Sequence, residues 1–447
     1  MTRRYPAYRE SGVEWLGEVP EGWDVVSVKR AFNITLGKML QNEQRSDDDF
    51  KAPYLRAANV QWGRVDVSDI KSMWFSSSEA RSLALVAGDL LVSEGGDVGR
   101  SAIWQSEIPN CFIQNSVHRV RALSGNSSNF LYYWMVTIKS KGFIDVLCNK
   151  STIAHFTVEK FAEVPMPLPT FAEQTAIAAF LDQETAKIDA LVDEQRRLIT
   201  LLREKRQAVI SHAVTKGLNP AAPMKPSGVD WLGDVPERWE VKRLKNVVPS
   251  VTVGIVVEPS KYYVEAGVPA LRSLNVRPGK ITAENLVFIS DEANELQAKS
   301  KLNLGDIVAV RTGQPGTCAV VTEEFNGCNC IDLIIIRRPT TSNSQYLFWY
   351  LNSDFALRQF SEGSGGAIQL HFNVSTATEL VICVPPIDEQ HQIVRYLGSS
   401  VSALDQLVDA AGSAICLLQE RRAAIISAAV TGKIDVRDLA AAETEAA

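Results

Sequence analysis

FAEQTAIAAFLDQETAKIDALVDEQRRLITLLREKRQAVISHAVTKG occupies residues 171–217, and IDEQHQIVRYLGSSVSALDQLVDAAGSAICLLQERRAAIISAAVTGK occupies residues 387–433. Glu173-Gln174 in the first stretch aligns with Glu389-Gln390 in the second, an offset of 216 (389 − 173). At that offset Leu181, Ile188, Gln195, Leu202 and Val209 fall on Leu397, Leu404, Ala411, Leu418 and Ile425. These positions recur every seven residues, the spacing that keeps one apolar seam on a long helix. A second row, Ile177, Leu191 and Leu198 against Ile393, Leu407 and Ala414, sits three or four residues away. Two long helices with matching seams bury them most simply against each other. The spacing therefore predicts an intramolecular coiled coil, its seam carried by Leu181, Ile188, Leu202, Val209, Leu397, Leu404, Leu418 and Ile425.

The repeat is wider than the helices. Ser11-Gly12-Val13-Glu14-Trp15-Leu16-Gly17-Glu18-Val19-Pro20 returns as Ser227-Gly228-Val229-Asp230-Trp231-Leu232-Gly233-Asp234-Val235-Pro236, again 216 residues on (227 − 11), and Trp23 returns as Trp239. Such a Trp-Leu pair framed by glycines suits a hook that pins the incoming chain against a helix. Pro53-Tyr54-Leu55-Arg56-Ala57-Ala58-Asn59-Val60 matches Pro269-Ala270-Leu271-Arg272-Ser273-Leu274-Asn275-Val276. Gly88-Asp89-Leu90-Leu91-Val92 matches Gly305-Asp306-Ile307-Val308-Ala309, and a glycine-bearing turn follows each, at 93–100 and 310–317. Strand-like runs come next, at 116–121 and 333–338, where the apolar residues are mostly β-branched. A short helix is expected around 130–137 and 346–351. Each half then closes on His155-Phe156 or His371-Phe372 and a proline-rich exit (165–169, 385–386), read as unable to continue a strand and as leading into the long helix. The order hook, mixed domain, long helix thus occurs twice, joined by an extended linker at 218–226.

A chain of 447 residues, 46% hydrophobic and 22% charged, has room for several domains with ample cores. No apolar run approaches the ~20 residues of a membrane span. Arg3-Arg4 is followed by Tyr5-Pro6-Ala7-Tyr8-Arg9-Glu10 where an export signal needs an apolar core. Seven cysteines without paired spacing point to reduced thiols, so a cytoplasmic protein is expected. A net charge of -6 argues against binding DNA by bulk charge alone.

The hook motif Ser-Gly-Val-x-Trp-Leu-Gly-x-Val-Pro-x-x-Trp, the Gly-Asp turn with its glycines, and the Glu-Gln helix opening, in this order and duplicated, resemble the specificity subunit of type I restriction–modification enzymes. The resemblance covers about residues 11–433. It implies an α+β fold in which two mixed α/β target-recognition domains are separated by two long antiparallel helices forming an intramolecular coiled coil, with an internal pseudo-two-fold repeat. The corresponding segments are 1–165 (hook and first recognition domain), 166–217 (first spacer helix), 218–385 (linker, repeated hook and second recognition domain), 386–433 (second spacer helix) and a flexible tail at 434–447. The resemblance further implies a non-catalytic, sequence-specific subunit for double-stranded DNA, each domain reading one half of a bipartite target. The helices would set the gap and dock two modification (methyltransferase) subunits. It implies no cofactor on this chain: S-adenosylmethionine belongs to the modification subunit, and ATP and Mg to a restriction (helicase-nuclease) subunit. Insertions or deletions in the helices should then change the gap and not the bases read. A coiled-coil protein scaffold and a stand-alone DNA-binding regulator are the alternatives; the scaffold leaves two divergent loop-bearing heads unexplained.

The residues themselves yield no catalytic set. There is no Asn/Asp-Pro-Pro-Tyr/Phe motif for holding a flipped base, and Thr431-Gly432-Lys433-Ile434 lacks the first glycine and the hydroxyl of a phosphate loop. The turn at 95–99 has the wrong spacing for a dinucleotide fingerprint. Cys318, Cys328 and Cys330 lack zinc-ligand spacing, so no metal site is expected. DNA contact falls to polar and basic loop residues: Arg56, Asn59, Gln61, Ser93, Arg100, Gln114, Asn115 and Thr152 in the first head. In the second they are Arg272, Asn275, Arg277, Arg311, Gln314, Thr317, Asn329 and Gln369. Arg suits guanine O6/N7, and Asn and Gln suit adenine N6/N7. Arg56/Arg272 and Asn59/Asn275 recur in both heads, which favours frame or phosphate roles; Arg100, Arg311 and Gln314 stand where the copies diverge, which favours base reading. His155 and His371 are further candidates. Arg196, Arg197, Arg203, Lys205, Arg206, Arg421 and Arg422 offer a basic helix face for docking or phosphate.

Overall fold

The computed structural model describes residues 4–148, 155–363 and 372–437. It forms two compact units, Met1–Glu194 with Ala414–Ala447, and Gln195–Ser413. Each unit holds one head and one half of each long helix, so the division falls within the helices and not at their ends. Thr152, Gln369 and His371, and residues 438–447 of the tail, lie outside the described residues.

The heads share one sheet order. In unit 1 an antiparallel sheet runs Ser101–Ile103, Leu90–Ser93, Val117–Ala122, Phe32–Leu36; in unit 2 the same order is Cys318–Val320, Ile307–Val310, Leu333–Ile336, Val251–Val253. The strand Leu333–Ile336 is apolar without a break because the sheet is covered on both faces. Ile334 and Ile336, with Ile307, Ala309 and Cys318, enter the core shared with the helices. Leu333 and Ile335, with Val308, Val310 and Ala319, enter a second core on the other face. That alternation is the two-residue period of a strand. The Gly-Asp turns are built alike. Asp89 accepts from the Val86 N–H (2.9 Å) and pairs with Arg121 (2.7 Å); Asp306 accepts from the Asn303 N–H (3.0 Å) and pairs with Arg337 (2.6 Å). The short helices run Ser128–Ser140 and Ser344–Leu351.

The first proline exit differs from the sequence reading, whereas Pro385-Pro386 end a strand and lead straight into the helix at Ile387 as expected. Pro165–Leu168 is a strand, paired antiparallel with Asp24–Ser27, and Val381–Val384 pairs in the same way with Glu240–Arg243. Pro165 and Pro167 are two residues apart on a two-stranded ribbon, so the two ring nitrogens share one edge and can both turn away from the partner strand.

The long helices run Phe171–Lys216 and Ile387–Val430. In unit 1, Ile177 and Leu181 share a core with Ile426, Ala429 and Val430; in unit 2, Ile210, Ala213 and Val214 share one with Ile393, Leu397 and Val401. The pairing is antiparallel, and its register is visible in two ion pairs, Asp189–Arg422 at 3.0 Å in unit 1 and Arg206–Asp405 at 2.9 Å in unit 2. Both pairs of numbers sum to 611, and the repeat converts one pair into the other (189 + 216 = 405; 206 + 216 = 422). Of the expected seam, Leu181, Ile188, Leu202, Leu397 and Leu404 are buried, and Val209, Leu418 and Ile425 are half-buried. The second row holds at Ile177 and Ile393, which are buried, and is corrected further along: Leu191, Leu198 and Leu407 are exposed, and Val192 and Val401 are buried in their place. A single helix partner covers too narrow a stripe to bury both rows.

Each hook closes on its own helix. The Trp23 indole N–H points to Glu173 (3.4 Å) and that of Trp239 to Glu389 (3.0 Å). Trp23 also abuts Gly432 and Trp239 abuts Gly217, the left-handed glycines ending the second and first long helices. Ile434 and Val436 are buried in the unit 1 core, so the expected tail is packed as far as Arg437, whose guanidinium lies over the Tyr5 ring. The helix Ile387–Val430 is, by length and composition, long and apolar enough to cross a membrane. Its ends are instead committed to the head cores, and its repeat equivalent Phe171–Lys216 is charged along its length.

Candidate nucleic-acid interface

In both heads, chain segments far apart in sequence are stitched into one edge at the ends of the strands. In unit 1 the Lys38 N–H reaches the Ile113 carbonyl (3.1 Å), the Asn115 N–H the Lys38 carbonyl (2.9 Å), and the Gln114 N–H the Leu55 carbonyl (2.9 Å). Ser116 Oγ accepts from the Ala57 N–H (3.0 Å), and the Phe156 N–H reaches Glu94 (2.9 Å). Unit 2 repeats the pattern: Ile255 N–H to Cys330 (2.8 Å), Asp332 N–H to Ile255 (3.1 Å), Ile331 N–H to Leu271 (2.8 Å), and Phe372 N–H to Arg311 (3.1 Å). Loops, turns and the backbone of Phe156 or Phe372 therefore meet at one place on each head. Loops held by a rigid sheet are where recognition residues belong.

The residues predicted from the sequence divide sharply on this edge. Asn59 and Asn275 are buried. Asn59 Oδ1 accepts from the Arg56 N–H (3.0 Å), and its amide donates to the carbonyls of Asp66 (2.8 Å) and Asp69 (3.2 Å). Asn275 does the same for the Arg272 N–H (2.9 Å) and the carbonyls of Thr282 (3.1 Å) and Glu284 (2.8 Å). Every polar position of the amide except one lone pair is spent on backbone, so both are frame residues and not base readers. Asn329 is buried too, donating to Asn294 Oδ1 (2.9 Å) and accepting from the Cys330 N–H (2.9 Å), and Ser93 is fully buried. These four are withdrawn as DNA contacts because none presents a free polar atom at the surface.

The arginines are partly engaged. Arg56 pairs with Asp69, and Arg272 donates to the Asn285 carbonyl (2.7 Å). Arg100 donates to Gln61 Oε1 (3.2 Å) and the Ala57 carbonyl (2.9 Å), while Gln61 donates to Ala58 (2.8 Å). Gln114 accepts from Ser116 (2.7 Å). Arg311, chosen for base reading, is a clamp: it donates to the Phe372 carbonyl (3.1 Å), Asp332 (2.7 Å) and Asn373 Oδ1 (3.3 Å). At the same place in unit 1 (311 − 217 = 94) Glu94 faces His155 Nδ1 at 3.1 Å. Arg277 and Gln314 are exposed, and Asn115 and Thr317 are half-buried. On the helices, Arg206 and Arg422 are tied to Asp405 and Asp189 and leave the proposed basic face; Arg197, Arg203, Lys205 and Arg421 remain exposed.

Burial sets the titration of four groups inside the heads. His118 is fully buried and its Nε2 lies 2.6 Å from the Phe156 carbonyl, so Nε2 carries the proton and donates; burial pushes its pKa down. Cys318, Cys328 and Cys330 are buried, and burial pushes their thiols up, away from the thiolate a metal would need.

Sequence reasoning missed one feature of the edge. Met39 and Leu40 in unit 1 and Val256 and Val257 in unit 2 are exposed apolar residues directly after the stitched positions Lys38 and Ile255. The signal was present: Thr35-Leu36-Gly37-Lys38-Met39-Leu40 aligns with Thr252-Val253-Gly254-Ile255-Val256-Val257 at an offset of 217 (252 − 35).

Residues 20–199 match the family described as type I restriction modification DNA specificity domain. The chain is 22% identical to the EcoBI specificity subunit of Escherichia coli over 98% of this chain and 93% of that one. It is 23% identical to the EcoKI specificity subunit of Escherichia coli K12, over 96% and 94%. It is 22% identical to the MjaVIII specificity subunit of Methanocaldococcus jannaschii, over 94% and 95%. Among solved structures, a chain from work on complex assembly and conformational transition of the type I R-M system superposes with a TM-score of 0.71 at 16% identity, covering 92% of this chain and 98% of that one. The HsdS subunit of Thermoanaerobacter tengcongensis superposes at 0.56 and 16% identity, covering 93% and 98%. With its duplicated hook, head and helix, the chain is similar to type I restriction–modification specificity subunits along nearly the whole length of these relatives.

Proposed function

We propose that this chain is the DNA-recognition subunit of a type I restriction–modification system, and that each head reads one half of a bipartite duplex target. The observation that carries the reading is the pair of strand-end edges. They are stitched by the same backbone bonds in both heads, yet carry different side chains: Glu94 against Arg311, Asn115 against Asp332, Lys38 against Ile255. One frame with two different surfaces suits one object with two unlike halves. The chain supplies positioning and no chemistry. Adenine methylation would come from two modification subunits carrying S-adenosylmethionine, docked on the helices, and cleavage from a restriction subunit using ATP and Mg.

The paired helices would set the gap between the half-sites. Residues 192–198 and 408–414 are repeat equivalents lying between the two ion pairs, so removing both heptads preserves seam and register. Each helix shortens by about 10 Å, or about three base pairs at ~3.4 Å each. Co-expression with the cognate methyltransferase and single-molecule sequencing of methylated adenines would show a split motif, and in the deletion variant the same half-sites with a shorter gap. A continuous motif, or an unchanged gap, would sink the reading.

A further inference from the structure

Gly37 and Gly254 occupy the same point in the two heads (254 − 37 = 217), and neither position has room for a side chain. A Cβ at residue 37 would overlap the Gln114 carbonyl, and one at 254 the Cys330 carbonyl. The following residue is held on both sides, Lys38 by Ile113 and Asn115, Ile255 by Cys330 and Asp332. The chain then leaves the edge with two apolar side chains in solvent: Met39 is 74% exposed and Leu40 50%, Val256 47% and Val257 68%. A single exposed apolar residue needs no explanation. A pair that recurs after the same clamp, while the polar residues around it differ between the copies, does need one. Neither pair belongs to any of the five hydrophobic cores.

We propose that Met39-Leu40 and Val256-Val257 are apolar contacts to base edges in the major groove, one pair for each half-site, with the thymine C5-methyl as the group read. The inference rests on the DNA-recognition reading and extends it. The pairs are continuous with the strand-end edges, and apolar side chains are what the thymine methyl accepts. Such contacts also suit a chain of net charge -6, because they add discrimination without adding basic residues. The glycine and the clamped residue fix where each pair leaves the frame, as a short reading element requires.

The test uses the complex with the methyltransferase partner and two double variants, M39S/L40S and V256S/V257S. All four side chains are exposed, so the cores stay intact. Binding is measured across a NaCl series on a duplex carrying the methylation-mapped target, and on two duplexes with one or the other half-site scrambled. Each variant should bind the target about 4- to 15-fold more weakly, the worth of one or two methyl-sized contacts. Its salt slope should be unchanged, since no phosphate contact is lost. The deficit should vanish on one scrambled duplex, a different one for each variant. Equal weakening on all three duplexes, an altered slope, no weakening, or release of the partner in gel filtration would overturn the proposal. If the wild-type complex itself does not prefer the mapped target to the scrambled duplexes, the DNA-recognition reading fails with it.

Discussion

Arg311→Ala separates a clamp from a base reader. The wild-type guanidinium holds three partners from two chain segments: the Phe372 carbonyl at 3.1 Å, Asp332 at 2.7 Å and Asn373 Oδ1 at 3.3 Å. Phe372 is buried against Phe360, ring centres 4.6 Å apart, so this bond joins the turn after Ile307–Val310 to the returning chain. The ion pair is partly open to water, with Asp332 about a third exposed, and is worth ~1 kcal/mol at most. The two other hydrogen bonds add ~0.5–1.5 kcal/mol each. The loss is therefore about 2–3 kcal/mol, and it is local. Hydrogen exchange followed by mass spectrometry should show residues 311–317 and 372–378 opening roughly 30- to 150-fold more readily, with unit 1 unchanged. The mapped motif should keep the same bases in both half-sites, although the methylated fraction falls. Arg311→Lys should recover the Asp332 pair and little else. The reasoning is refuted if Arg311→Ala relaxes one base position of one half-site while exchange at Phe372 stays at the wild-type rate.

Three further outcomes follow from the same geometry. Asn59→Ala or Asn275→Ala strands one backbone N–H and two carbonyls and should cost about 2–4 kcal/mol in the unit that carries it; a shift under 0.5 kcal/mol by urea unfolding would argue against the frame role. Trp239→Ala removes a fully buried indole and its bond to Glu389, for a loss of about 3–5 kcal/mol. That loss should appear as faster exchange in unit 2, and equal effects in both units would contradict the hook as a local fastening. His118 is held neutral in the fold, with its pKa depressed below the ordinary 6.5. Its contribution is thus complete above pH 6.5 and is lost as pH falls from there toward the folded pKa, because the unfolded chain takes up the proton first. Unit 1 should lose up to about 1.4 kcal/mol per pH unit in that window, and a His118→Asn variant that keeps the full wild-type slope would exclude this histidine as the cause.

The outline of this protein was legible in its sequence because the outline is periodic. A seven-residue apolar row and a repeat offset are pattern properties, and the pattern alone predicted two long helices, their pairing, the doubled hook and the doubled head. The same kind of evidence misjudged the middle of the second row, because Leu191 and Leu407 have the right spacing but one partner helix cannot cover a stripe that wide. Proline content misjudged Pro165–Leu168, because a ribbon with a free edge tolerates what an inner strand does not. The candidate site was the least legible part. Arg311 looked like a reader since it stands where the copies diverge, yet its partners lie 21 to 62 residues further along the chain. Whether a polar side chain is free or spent depends on which distant backbone returns beside it, and no local pattern records that. Sequence determined the repeat, the helices and the frame, since each is written in spacing; only the tertiary structure decided which loop residues are clamps and which remain open to a ligand.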